Sequence, residues 1–200
     1  AETQSGTLEV VVGREAVLMD MAEPRAFERL DGADQLEELY GVMGLVSVGQ
    51  GTVRRKPGRV LLPRKVSTGL RDIMLPVADE AALKRMAPDF PALAALSRKY
   101  GVVGVHAFTC NTEDGRIHAR NFAPLYGIDE EAATGTANGA LVYALHLDGL
   151  VELDRVYTVV QGEKMGRPSR ISAQVTLKDG KPLVKVGGPA VTLVRGEIDL

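Results

Sequence analysis

The chain has 200 residues, of which 45% are apolar and 25% charged, and its 24 Lys and Arg against 26 Asp and Glu leave a net charge of −2. These proportions exclude a disordered chain, a collagen and a coiled coil, and the charge balance excludes a basic nucleic-acid stripe or a polybasic membrane tether. With aromatics at 4% and no Trp, the core has to come from Val, Leu and Ala. Residues 6–12 are β-rich, 13–15 turn, and 16–21 return, so the chain opens on a hairpin. Leu36, Leu39, Tyr40 and Met43 share one face of a short helix over 33–42. Residues 41–53 are rich in Gly and Val without a clear period, and Lys56-Pro57-Gly58 is a turn. Residues 71–77 form a strand. Asp79 is an N-cap for a helix through Ala87, closed by Pro88, and Pro91 suits the first turn of a helix running to about Tyr100. Strands follow at 102–108 and 117–122, with a turn at 112–115, and then a long helix from about Glu131 to Leu147. The rest reads as strands at 156–161, 169–177, 183–186 and 191–198, with turns at Gly162, Asp179-Gly180 and Gly187-Gly188-Pro189. The fold class expected is α+β, mostly antiparallel strands with a few helices.

The helix at 132–147 is unusual because it holds no residue charged at pH 7 with its histidine neutral. A surface helix shows a polar face, so this one is expected to be buried all round. Its small side chains require close approach from every side, which a helix threaded through a curled sheet provides. Asp129, Glu130 and Glu131 precede Thr134-Gly135-Thr136 at its start. If the helix begins near Gly135, its free first-turn N–H groups and its dipole favour an anion such as a carboxylate. Gly135 would let a ligand approach the backbone. An ordinary capped N-terminus, with Thr as the cap and acidic residues complementing the dipole, fits the same residues.

The other chemistry-bearing residues read more plainly. One cysteine, Cys110, excludes a disulfide framework and a Cys-based zinc site within the chain, and is expected to be an unreactive thiol. His106, His118 and His146 have no spacing for a helical metal site. The first two alternate out of strands as structural or solvated groups, and His146 is a satisfied core histidine near a helix end. Arg120 either braces the helix start by pairing with Glu130 or Glu131, or binds substrate. Gly49-Gln50-Gly51 lacks the third Gly and the following helix of a dinucleotide loop. Residues 162–169 do not match a phosphate loop and read as a turn between strands, with Arg167 able to face a cleft. No stretch reaches the roughly 18 apolar residues of a membrane span, and the first residues lack a signal-peptide layout. A cytoplasmic protein with no nucleic-acid or membrane partner is expected.

Four motifs carry a resemblance. Arg120-Asn121-Phe122-Ala123-Pro124-Leu125-Tyr126-Gly127-Ile128, followed by Glu130-Glu131-Ala132-Ala133-Thr134-Gly135-Thr136-Ala137, resembles the signature of the PhzF-type isomerase family, named for phenazine biosynthesis. Residues 66–77, beginning Val66-Ser67-Thr68-Gly69, resemble the segment that opens the family's second lobe. Gln161-Gly162-Glu163-Lys164-Met165-Gly166-Arg167-Pro168-Ser169 resembles its Gln-Gly-x-x-Met-Gly-Arg-Pro-Ser run, and Val186-Gly187-Gly188 with Gly196 its closing strands. The resemblance implies a diaminopimelate-epimerase-like fold: two lobes, each a sheet curled around a central helix, with the active site in the cleft between. Residues 1–62 would be a partial first lobe, 63–190 a second lobe around the helix at about 131–147, and 191–200 a closing strand returning to the first lobe. The opening residues resemble a segment about a third of the way into a family chain. The family's principal catalytic Glu and a substrate-facing Gly-His pair are therefore expected outside this chain, on a truncated part or a second chain.

The implied reaction is isomerisation by proton transfer at carbon on a small carboxylate substrate, with no cofactor and no metal. Glu131, standing where the family has Asp, and Thr136, where it has Ser, would be catalytic. Thr134, the backbone at Gly135 and Ala137, and Arg167 would bind substrate. The related epimerases carry a Cys where Thr136 stands, so a two-thiol racemase is not expected. Two other outcomes fit the resemblance: a non-catalytic binding subunit that keeps the fold, and a fragment whose uncovered apolar area and strand edges drive a homodimer.

Overall fold

A computed structural model describes residues 2–3, 6–13, 16–45 and 60–197. The expected features at Arg14-Glu15, Gly49-Gln50-Gly51 and Lys56-Pro57-Gly58, and most of 41–53, lie outside the described residues. Within them, the chain opens with β1 (Glu2–Thr3), β2 (Gly6–Thr7), β3 (Val10–Val12), β4 (Val17–Asp20) and β5 (Arg25–Arg29), then α1 (Ala33–Val42). It continues through β6 (Arg64–Ser67), β7 (Arg71–Pro76), α2 (Glu80–Arg85), α3 (Phe90–Tyr100), β8 (Gly104–Thr109), β9 (Ile117–Ala123) and β10 (Ile128–Glu131). It closes with α4 (Gly135–Leu147), β11 (Val156–Gln161), β12 (Ser169–Lys178) and β13 (Lys181–Gly188).

β1 and β2 pair with each other, and every other described strand joins one sheet in the order β3-β4-β13-β12-β11-β9-β8-β7-β6-β5, with β10 added beside β9. Among these, β7 with β8 and β9 with β11 are parallel, and the remaining pairs are antiparallel. α4 packs on β12 and β13 from one arm of the sheet and on β6 and β7 from the other, so the sheet curls around the helix. Residues 137–142 of the helix are buried, as are Ala144 and Leu145. Small side chains make this enclosure fit. A Cβ on Gly139 would stand 2.9 Å from Val186 Cγ2 and 3.1 Å from Val184 Cγ1. The α+β architecture with a central buried helix is therefore present, for the reason the uncharged sequence suggested.

The central strands are apolar on both faces. On β7, Met74 points to the core around α4, while Ile73 and Leu75 join an outer core with Leu39 of α1 and Leu93 of α3. α1, α2 and α3 thus cover the outer face while α4 fills the inner one. The helix starts follow local chemistry. The Asp79 carboxylate accepts the Ala82 N–H at 2.8 Å, and the Asp89 carboxylate accepts that of Ala92 at 3.0 Å.

Several elements differ from expectation. The opening strand splits: β2 pairs with β1, and only β3 pairs with β4. The central helix starts at Gly135, not near Glu131, because residues 128–131 are an extended strand paired with β9. β5 and β6 are not among the expected strands, yet they pair with each other at the sheet edge. Gly187 and Gly188 continue β13 opposite Leu18 and Val17 instead of turning. Residues 190–197 carry no strand: Val191, Leu193 and Val194 are 80%, 88% and 85% exposed, with no described strand beside them to complete their hydrogen bonds.

Candidate functional site

The neighbouring strands β7, β8, β9 and β10 bring separate stretches of sequence to the start of α4. Asp72 of β7 lies opposite Gly104 of β8, and Glu131 of β10 opposite Asn121 of β9. Together with the first turn of α4 they line an open cavity of about 270 Å³. Leu70, Val103, Ala123, Tyr126 and Ile128 make its apolar walls. Asp72, Asn121, Glu131, Thr134 and Thr136 supply its polar groups.

The chain between β10 and α4 is held from below by buried amides. The Gln161 Nε2 donates to the Glu131 carbonyl at 2.6 Å and to Thr134 Oγ1 at 3.0 Å. Its Oε1 accepts the Asn138 Nδ2 at 2.7 Å and the Thr134 N–H at 3.3 Å. Asn138 Nδ2 also donates to the Thr134 carbonyl at 2.8 Å, and its Oδ1 lies 3.2 Å from His106 Nε2. His106 Nδ1 in turn lies 3.0 Å from Asn121 Oδ1. Burial pushes the His106 ring down to about 4, against the opposing effect of its bonds to Asn121 and Asn138, so the ring is neutral at pH 7.

Thr134 occupies the N-cap position, but its side chain makes no cap bond. Its hydroxyl donates to Glu131 Oε2 at 2.8 Å instead. The ordinary capped start is therefore not what the chain adopts: the carboxylate is held, and the first-turn N–H groups of α4 keep no side-chain acceptor. The Thr136 carbonyl accepts the Thr68 hydroxyl at 2.8 Å, which ties the loop before β7 to the helix start.

Asp72 is the strongest departure from ordinary side-chain chemistry. It is 3% exposed. Burial raises its carboxyl to about 6, the Gly104 N–H works against that rise, and the Glu131 charge adds to it.

The cavity brings together Glu131, Thr134 and Thr136 of the residues expected from sequence. Gly135 and Ala137 adjoin them in the chain but do not line the cavity; Gly135 is exposed and Ala137 is fully buried. Arg167 lies elsewhere. It is exposed, does not line the cavity, and its backbone N–H closes the turn onto the Gly162 carbonyl at 3.0 Å. Arg120 takes the bracing role. Its Nε and Nη2 each meet the Glu130 carboxylate at 2.8 Å, and its Nη1 donates to the Leu83 and Met86 carbonyls at the end of α2.

Sequence reasoning missed Asp72, Asn121, Asn138 and Gln161, while His106 takes the structural role expected of it. Each left a faint signal: an acid inside an apolar strand, or an amide inside an apolar helix or strand. His146 is half-buried and satisfied by the Val151 carbonyl at 3.1 Å from Nδ1. His118 sits between Glu163 at 2.7 Å and Asp114 at 3.3 Å. Half-buried Cys110 lines a different cavity of about 410 Å³ at the other end of α4. Among the described residues, no cluster of His, Cys, Asp and Glu is placed to hold a metal ion. No helix among them is long and apolar enough to cross a membrane.

The profile of the phenazine biosynthesis-like (PhzC-PhzF) family matches residues 2–196. An uncharacterized isomerase of Deinococcus radiodurans is 40% identical over 128 residues, which are 62% of this chain and 41% of that protein. The trans-2,3-dihydro-3-hydroxyanthranilate isomerase of Pseudomonas chlororaphis is 36% identical over 140 residues, 69% of this chain and 45% of that protein. The chain thus spans less than half the length of these curated relatives. A solved structure described as a predicted epimerase from Pseudomonas aeruginosa superimposes with a TM-score of 0.71 at 30% identity, covering 96% of this chain and 62% of that one.

Proposed function

This chain belongs to the phenazine biosynthesis-like family, and from that premise we propose that it carries one wall of an isomerase site that moves a proton at carbon on a small carboxylate, without a cofactor. The observation that carries this reading is the shared cavity. Glu131, steadied by the Thr134 hydroxyl, lines the same space as the first turn of α4. That turn has N–H groups without a side-chain cap. A substrate carboxylate at the helix start would meet those N–H groups and the Thr136 hydroxyl. When a C–H bond beside that carboxylate breaks, its electron pair spreads onto the carboxylate oxygens, and fixed donors stabilise the growing charge. Glu131 would take or return the proton, and delivery to a different carbon completes an isomerisation with no net change in atoms. Leu70, Tyr126 and Ile128, which are exposed on the cavity's open side, would be covered by a bound substrate, and that covering would strengthen both interactions. The opposite wall of the cleft, with a further acid/base, would come from a first lobe outside this chain.

The test is deuterium incorporation from D₂O, followed by NMR, over a panel of small carboxylates. Trans-2,3-dihydro-3-hydroxyanthranilate, named for the Pseudomonas chlororaphis relative, heads the panel. Glu131→Gln is expected to slow exchange by about a hundred- to ten-thousandfold. Thr136→Val is expected to slow it by roughly tenfold through one lost hydrogen bond. The exchange is measured on the protein completed by its first lobe, and exchange at the wild-type rate in both variants would overturn the assignment.

A further inference from the structure

Five polar side chains form one unbroken chain of hydrogen bonds, from His106 of β8 through Asn138 of α4, Gln161 of β11 and Thr134 to Glu131 of β10. His106, Asn138 and Gln161 are fully buried. Backbone groups decide which end of each amide donates. The Glu131 carbonyl can only accept, so the Gln161 atom 2.6 Å from it is Nε2. The Thr134 N–H can only donate, so Gln161 Oε1 faces it at 3.3 Å. The Thr134 carbonyl fixes Asn138 Nδ2 in the same way, at 2.8 Å. Asn138 Oδ1 must then accept from His106 Nε2 at 3.2 Å, and because the buried ring is neutral its single proton sits there. His106 Nδ1 is left bare, so the Asn121 amide 3.0 Å away turns its Nδ2 to it. At the other end, Thr134 Oγ1 accepts from Gln161 Nε2 at 3.0 Å, and its own proton goes to Glu131 Oε2 at 2.8 Å. Every link donates toward Glu131, and bonds aligned in one direction polarise one another.

We propose that Gln161 is a positioning residue for the proton transfer: the relay it carries reserves Glu131 Oε2 as a hydrogen-bond acceptor and leaves Oε1 to take the substrate proton. The inference rests on the reading of Glu131 above and deepens it. The substrate C–H bond breaks, an O–H bond forms at Oε1, and the electron pair stays with the substrate until the proton returns to a different carbon. Gln161 itself gains and loses no proton. It orients the carboxylate twice over, through the Thr134 hydroxyl and through the Glu131 carbonyl.

The first test reads the direction of the relay in the 200-residue chain. With ¹⁵N-labelled histidine at neutral pH, His106 is expected to show a protonated Nε2 and a bare Nδ1. A ring protonated on Nδ1 with Nε2 bare would overturn the inference. The second test follows deuterium exchange by the protein completed by its first lobe. Thr134→Val is expected to lower kcat about tenfold or more while KM stays within about twofold. Thr134→Ser, which keeps the hydroxyl, is expected to recover most of that loss. Gln161→Met is expected to lower kcat to a similar extent and, combined with Thr134→Val, to add less than about threefold, because both remove the same link. Losses that multiply, or a loss that falls on KM alone, would overturn the inference. Should Gln161→Met not fold, Thr134→Val at the wild-type kcat would overturn it equally. Glu131→Gln separates the two readings. Exchange at the wild-type rate in that variant would overturn the Glu131 reading and the relay's role with it. Slow exchange there, with multiplying losses at Gln161 and Thr134, would overturn the relay and leave Glu131 in place.

Discussion

Burial raises the Asp72 carboxyl to about 6 against an ordinary value of 3.8, and it lowers the His106 ring to about 4 against 6.5. The two displacements act on stability with opposite signs. Between pH 3.8 and about 6 the folded chain keeps the Asp72 proton that the unfolded chain releases, so this group's contribution falls as pH rises. Between about 4 and 6.5 the unfolded chain binds a proton at His106 that the folded chain refuses, so that contribution rises with pH. The wild-type protein should therefore show little pH dependence from this pair across their shared window. Asp72→Asn removes one of the two opposing slopes. We expect it to add up to about 3 kcal/mol of stability at pH 7, with a gain that shrinks toward zero as pH falls through the window. Urea unfolding of both proteins at several pH values measures this. A constant difference between them would mean that Asp72 ionises in the folded protein as it does in the unfolded chain.

Two glycines show how differently strands and helices restrict a single methyl group. A Cβ on Gly104, at the start of β8, would lie 1.9 Å from the Phe122 carbonyl oxygen, inside the backbone of the paired strand. That backbone is fixed by the sheet on both sides, so it cannot yield. On Gly139 of α4 the Cβ would press on side-chain methyl groups of Val186 and Val184, not on backbone, and it would gain roughly 1 kcal/mol of helix propensity. Gly104→Ala is expected to cost more than about 3 kcal/mol, and Gly139→Ala about 1–2 kcal/mol. Thermal melts that reverse this order would refute the packing argument. The same contrast explains what could be read from the chain. α1 carries buried Leu36, Leu39 and Tyr40 at helical spacing, and α4 advertises its burial by having no charge. Local pattern is enough for both. The acids before α4 suit a helix start equally well by dipole. Only the pairing of β10 with β9 and the Arg120–Glu130 bond make them a strand. Residues 191–194 are Val, Thr, Leu and Val, which favour a strand, but composition does not supply a partner. Glu131, Thr134 and Thr136 were legible because they lie in one motif. Asp72, Asn121, Asn138 and Gln161 come from four elements, and only the curled sheet brings them near each other.

The molecule buries two apolar cores against opposite faces of the same strands, and this links their fates. Met74 and Phe108 face the inner core with Leu141 of α4, while Ile73, Leu75, Val105 and Phe122 face the outer core with Leu39 of α1. No strand among β7, β8 and β9 can leave one core without exposing the other. Local disorder in either core therefore withdraws half the burial that holds the shared strands, and partial unfolding has no stable resting point. Leu141→Ala and Leu39→Ala, both at fully buried positions, are each expected to cost about 2–5 kcal/mol. Each should lower one common unfolding midpoint instead of splitting it. Far-ultraviolet circular dichroism follows the helices of both cores, and tyrosine fluorescence includes Tyr40 of the outer core. The two signals should stay coincident in both variants. A variant whose outer core melts while α4 remains protected from hydrogen exchange would show that the shared strands do not couple the cores. The division of the sheet around β7, β8 and β9 would then be energetic as well as geometric.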